Sequence, residues 1–191
     1  ANRKQHFIDM KTMLNKKSTL ENRQNTKKVT VIGGGVIGSM TAIHLSNLGH
    51  NVVLIDPVLS QPIKGSQPIN GSSASLGVLM GNIYRKSSGR GWRLRKQSME
   101  LWPQWVELLN KKELPLKIET PLVQIAVSHE DAYFMKKLCQ KRKHLGLELI
   151  PPKTTTYINT FWPNTQFGSL ISMNDGRINP INLLKCLQKT I

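Results

Sequence analysis

Residues 33–38 read Gly33-Gly34-Gly35-Val36-Ile37-Gly38, with glycine at the first, third and sixth positions. That spacing suits a backbone that must come close to a polyanion. Gly33 permits a tight turn out of a strand, Gly35 puts no Cβ between the backbone and a pyrophosphate, and Gly38 lets a helix pack close to a sheet. A helix opening at Val36 and Ile37 would turn its unpaired N–H groups and positive dipole end toward the phosphates. Farther on, Asp56 can accept hydrogen bonds from ribose hydroxyls, and its charge disfavours a 2′-phosphate and hence NADP. The chemistry these residues suit is dinucleotide binding. The glycine pattern alone is weak, because a strand, turn and helix that bind nothing also satisfy it.

The elements around the glycines supply the missing context. Val29-Thr30-Val31-Ile32 is a β-branched apolar run that predicts a buried strand, and Val52-Val53-Leu54-Ile55 predicts a second one closed by Asp56-Pro57. Between them Val36 to Leu48 predicts a helix, with Ile37, Met40, Ile43 and Leu48 on its apolar side and Gly49 at its end. A βαβ unit over residues 28–56 follows, and with it the first half of a dinucleotide fold.

The rest of the chain reads more coarsely. Residues 57–71 are rich in Pro and Gly and predict a loop. Ser72 to Met80 predicts a short helix capped by Ser72 or Ser73. Trp92 to Leu109 predicts a helix that Pro103 must start or kink. Leu122 to Val127 alternates as a strand does. Glu130 to His144 predicts an amphipathic helix with Phe134, Leu138 and Leu145 inward. Strands follow at Leu147–Ile150 and Phe167–Met173, then the turn Asn174-Asp175-Gly176. Pro180 opens a last helix whose apolar stripe is Leu183, Leu184 and Leu187.

Composition bounds the function classes. Of 191 residues, 39% are hydrophobic, which is globular rather than disordered. No apolar run approaches the roughly 20 residues that span a bilayer, and no apolar signal segment stands near the N-terminus. The net charge of +16, from 27 basic and 11 acidic residues, raises the question of nucleic acid. The charge is spread along the chain, with no zinc-ligand set and no aromatic RNA-binding signature, so nucleic acid is not the expected partner. Residues 1–27 are basic and predict a mobile extension or a mis-set start, with Met10 or Met13 as alternative initiators. Cys139 and Cys186 have no metal or CxxC spacing; two ordinary thiols point to a cytoplasmic setting.

Other chemistry-capable residues read as structural. His44 is a packed or surface helix residue rather than a base, and Trp92, Trp102 and Trp105 are core anchors rather than ligand platforms. The cluster Arg85, Lys86, Arg90, Arg93, Arg95 and Lys96 reads as a solvated loop and helix face, with an anionic partner as the alternative. No catalytic residue and no metal ligand is assigned.

Three stretches carry a family resemblance. Ala42, Leu45, Gly49 and Val52 follow the glycines at the spacing seen in FAD-binding oxidoreductases of the glutathione-reductase class. Gly71-Ser72-Ser73-Ala74-Ser75-Leu76-Gly77-Val78-Leu79 resembles the small-residue segment after the second strand in the D-amino-acid oxidase superfamily. Asp175-Gly176-Arg177-Ile178-Asn179-Pro180, followed by Leu183, Leu184 and Leu187, resembles a later stretch of that family, with Asn179 in place of the commoner Asp. The resemblance covers residues 28–191.

It implies an α/β fold: a Rossmann-like FAD-binding domain over 28–115, and over 116–191 the start of an α+β substrate domain and the return to the FAD-binding domain. It implies FAD as cofactor, with Ser72 and Ser73 beside it where glycine oxidase-like proteins carry Thr and Ser. The implied function is oxidation of a small amine or amino acid, as in glycine oxidase or D-amino-acid dehydrogenase. Members of the family are about twice this length, so the resemblance implies an N-terminal part completed by further sequence or by a second chain. A non-catalytic FAD-binding subunit and the FAD domain of a tRNA-modifying enzyme are the alternatives.

Overall fold

A computed structural model describes residues 26–57, 70–86, 88–110, 115–152 and 166–191. The basic extension through residue 25 and most of the 57–71 loop lie outside the described residues. The chain divides into two compact units: one of residues 1–75, 107–116 and 180–191, the other of residues 76–106 and 117–179.

The first unit holds the βαβ. Strand β1 (Lys28–Ile32) and strand β2 (Asn51–Ile55) pair in parallel, with Val29 opposite Val52 and Ile32 opposite Ile55. Helix α1 (Val36–Asn47) connects them. The two apolar runs are not fully buried as expected. Burial alternates, and Val31, Val52 and Leu54 lie on the α1 side. On the other face Ile32 is 85% exposed, with Val53 and Ile55 also exposed; among the described residues that face has no cover.

The inward side of α1 also differs from the expectation. Ile37 is 78% exposed and Leu48 is exposed, whereas Ser39, Ala42 and Ile43 are buried. Ile43 is buried as expected, and beside it the small Ser39 and Ala42 let the helix lie close to the strands. Helix α4 (Pro180–Thr190) packs against α1. It buries Leu183, Leu184 and Leu187 as its sequence predicts, and Cys186 with them.

The second unit is built on antiparallel strands. Strands β3 (Val78–Leu79), β4 (Ile118–Glu119) and β8 (Gly176–Ile178) form a sheet of order β3-β8-β4, and β5 (Leu122–Ile125), β6 (Leu147–Ile150) and β7 (Ser169–Ser172) form one of order β5-β7-β6. The expected helix at Ser72–Met80 is instead a turn followed by β3. Asn70 and Ser73 bond to each other's backbone, which closes a single turn. Val78 then pairs with Arg177 on β8.

Helix α2 (Gly89–Asn110) starts three residues before the expected Trp92 and is helical on both sides of Pro103. Helix α3 (His129–Arg142) has Ser128 as its N-cap, whose hydroxyl accepts the Asp131 N–H at 3.1 Å, and Glu130 and Asp131 complement the dipole there. Its buried residues are Met135, Cys139 and Arg142; of the expected Phe134, Leu138 and Leu145, the two leucines pack partly buried against the core and Phe134 does not. Met135 and Cys139 join Ile83, Ala126, Leu147 and Leu170 in the core of this unit, which turns Phe134 outward to 43% exposure.

Candidate dinucleotide site

The site forms where β1 meets α1. Gly33 leaves the strand at φ +102°, a conformation that favours glycine, and its N–H donates to Ile55 O at 2.8 Å. A Cβ on Gly38 would lie 1.8 Å from Gly33 O, so the third glycine is required for the helix to pass the turn. The Ser39 hydroxyl donates to Gly34 O at 3.0 Å and fixes the turn from the helix side.

Asp56 and Ser72 come to the same place from distant parts of the sequence. The Gly34 N–H donates to Asp56 Oδ2 at 2.7 Å, and the Val36 N–H donates to Ser72 Oγ at 3.1 Å. Ser72 is thus a hydroxyl at the opening of α1, and a Cβ on Gly35 would meet its Oγ at 2.8 Å. Gly35, Val36, Ile37 and Gly38 form the helix start. Ser73 takes a different part: it is 5% exposed, and its hydroxyl bonds Asn70 within the 70–75 turn.

This arrangement fits a pyrophosphate. The first turn of α1 has no acidic residue and Gly35 brings no side-chain cap of its own; the carboxylate nearby is that of Asp56, on the Gly34 N–H. Ser72 can donate its proton to a phosphate oxygen while accepting from Val36. A carboxylate has about four acceptor sites, so the bond to Gly34 leaves Asp56 with capacity for a ribose hydroxyl.

The residues read as structural keep that character. His44 is exposed near the C-terminal end of α1. Trp92 is half-buried with the Arg142 guanidinium 4.7 Å from its ring, and Arg95 lies 3.6 Å from the ring of Tyr84. Arg85 pairs with Asp131 at 2.7 Å. Cys139 and Cys186 are buried and form no disulfide, and burial pushes both thiols up from the usual range, which disfavours the reactive thiolate. No group of His, Cys, Asp and Glu among the described residues could hold a metal ion. No helix among them is long and apolar enough to cross a membrane.

One residue gains a role that sequence reading missed. Asp175, read as a turn residue, is fully buried. Its carboxylate accepts the N–H groups of Gly81, Asn82 and Ile83 at 2.8, 3.0 and 2.7 Å and the Ser172 hydroxyl at 2.8 Å. Arg142, 5% exposed, donates to the carbonyls of Asn82 and Tyr84. The 81–84 segment is therefore held through both its donors and its acceptors. The Asp-Gly in the family-like stretch was the available signal, but nothing local shows what an Asp so far along the chain will bind.

Residues 28–191 match the family model described as FAD dependent oxidoreductase, DAO. The chain belongs to this family. FAD is the DAO family's cofactor, in agreement with the dinucleotide expected from the sequence. Among curated proteins, none matches the chain. Solved structures with the same fold include glycine oxidase from Geobacillus kaustophilus, at 22% identity and a TM-score of 0.65, covering 87% of this chain and 44% of that one. Glycine oxidase from Bacillus cereus ATCC 14579 gives 20%, 0.63, 87% and 43%. L-proline dehydrogenase from P. horikoshii gives 18%, 0.58, 87% and 42%. The chain spans less than half the length of these structures. The mixed α/β architecture with a Rossmann-like FAD-binding unit is thus the fold of this family.

Proposed function

We propose that the chain is the FAD-holding part of a flavoenzyme that oxidises a small amine or amino acid. The observation that carries this is the meeting of the glycine turn, Asp56 and Ser72 at the start of α1, within a chain of the DAO family. Gly33, Gly35, Val36, Ile37 and Gly38 hold the pyrophosphate, Asp56 binds the adenosine ribose, and Ser72 donates to a phosphate oxygen. Ser73 acts on the cofactor through the turn it closes. Bound FAD would supply the two-electron acceptor; the residues of this chain bind and orient it.

The substrate class is taken from the family and from structural neighbours whose names are glycine oxidase and L-proline dehydrogenase. No residue of this chain is assigned as catalytic. Two buried cysteines outside any disulfide favour a cytoplasmic setting.

The test is turnover by the intact protein with glycine, sarcosine, proline and D-amino acids, read as hydrogen peroxide release and as anaerobic bleaching of flavin absorbance. Bleaching by at least one of these substrates is expected. An FAD-loaded protein that none of them reduces would remove the amine assignment and leave the cofactor assignment standing.

A further inference from the structure

The second unit contains a cavity of about 520 Å³ that shares no residue with the glycine turn. Its size lies within the range of about 300–1,000 Å³ typical of small-ligand sites. Five of its lining residues, Arg85, Lys137, Lys141, Arg142 and His144, are basic, and none is acidic. Lys137, Lys141 and His144 recur at helical spacing along α3 and the turn that extends it, and all three line the cavity; the Lys137 ammonium lies 4.4 Å from the Tyr133 ring. Phe134, Met135 and Leu138 give the cavity an apolar side.

The basic groups differ in how they are held. Arg85 is oriented at the rim, 2.7 Å from Asp131 and 5.2 Å from the Phe134 ring. Arg142 is buried, spends Nη1 on two carbonyls, and has its buried Nη2 without a hydrogen-bond partner. Burial lowers its hold on the proton, offset in part by Asp175. A buried cation so placed is stabilised by a further negative charge nearby. A purely solvated lysine face would need neither a concave wall nor exposed Phe134 beside it.

We propose that this cavity binds a small amphipathic oxyanion, a carboxylate or phosphate head on an aromatic or branched apolar body. The head lies among Lys137, Lys141 and Arg85, and the body lies against Phe134 and Leu138. The site is separate from the dinucleotide site and does not rest on the proposed reaction.

Calorimetric titration of the intact, cofactor-loaded protein with phenylacetate, phenyl phosphate and neutral 2-phenylethanol tests this. Both anions should bind one per chain, with the alcohol weaker by about tenfold or more. The tighter anion identifies the head group. The double variant Lys137→Glu, Lys141→Glu should weaken the anions by about tenfold or more, since charge reversal removes attraction and adds repulsion. Its FAD content should not change, and both lysines are exposed, so the fold should persist by circular dichroism.

Equal binding of the alcohol, no saturable binding of either anion, or unchanged affinity in the double variant would each overturn the proposal. Binding that perturbs the flavin spectrum and survives the double variant would place the anion at the flavin instead. A protein that lacks FAD yet binds the anions would contradict the functional reading and leave this one intact.

Discussion

The Asp56 carboxylate accepts the Gly34 N–H at 2.7 Å, so it shapes the glycine turn as well as ending β2. Two effects of its removal can therefore be separated. Asp56→Ala loses both the ribose contact and the turn contact. A charge-assisted hydrogen bond is worth about 1.5–3 kcal/mol, or roughly tenfold to a hundredfold in affinity. The FAD dissociation constant should rise by at least that factor, and the turn should loosen. Asp56→Asn retains an acceptor for Gly34 and should keep the stability of the parent while still binding FAD more weakly. Fluorescence titration of the apoprotein and a denaturant melt read the two effects. An FAD affinity within twofold of the parent for both variants would take Asp56 out of the site.

At the scale of elements, the segment 81–84 is fixed by two side chains that arrive from β8's entrance and from α3, Asp175 and Arg142. Asp175→Asn is nearly isosteric, yet its amide nitrogen must face at least one backbone N–H where a carboxylate oxygen accepted before. An unsatisfied buried donor costs about 1–3 kcal/mol, and a loss of that size is expected, with hydrogen exchange faster at residues 81–83. A variant as stable as the parent would show that the carboxylate is not what holds the segment.

These two networks also mark what sequence can and cannot show. The βαβ and its glycines were legible because every cue is local: a β-branched run, a turn, a helix start and an acid within about thirty residues. The helix at Ser72–Met80 was misread because Asn70 and Ser73 satisfy the backbone within one turn, and β3 then finds its partner in β8, far along the chain. On α3 the sequence places Leu138 and Leu145 against the core, but it overrates Phe134, since Met135 and Cys139 are weaker apolar signals and yet take the most buried positions. Asp175 was invisible as a keystone because its backbone partners at 81–83 stand more than ninety residues away.

For the whole molecule, β1 and β2 leave an apolar face of Ile32, Val53 and Ile55 exposed among the described residues. A parallel sheet is normally covered on both faces. The charge of +16 is large for 191 residues, and bound FAD would offset part of it. The central claim is that the turn at 33–38 holds FAD, and one variant isolates it. A side chain on Gly35 meets the movable end of Ser72 rather than backbone, so Gly35→Val should fold. It should also fill the space through which a pyrophosphate approaches the start of α1. The measurement is release and chromatographic quantification of the cofactor from the intact protein and from Gly35→Val, with circular dichroism on both. The account predicts FAD in the parent and little or none in a folded variant; NAD in the parent, or undiminished FAD in the folded variant, would contradict it.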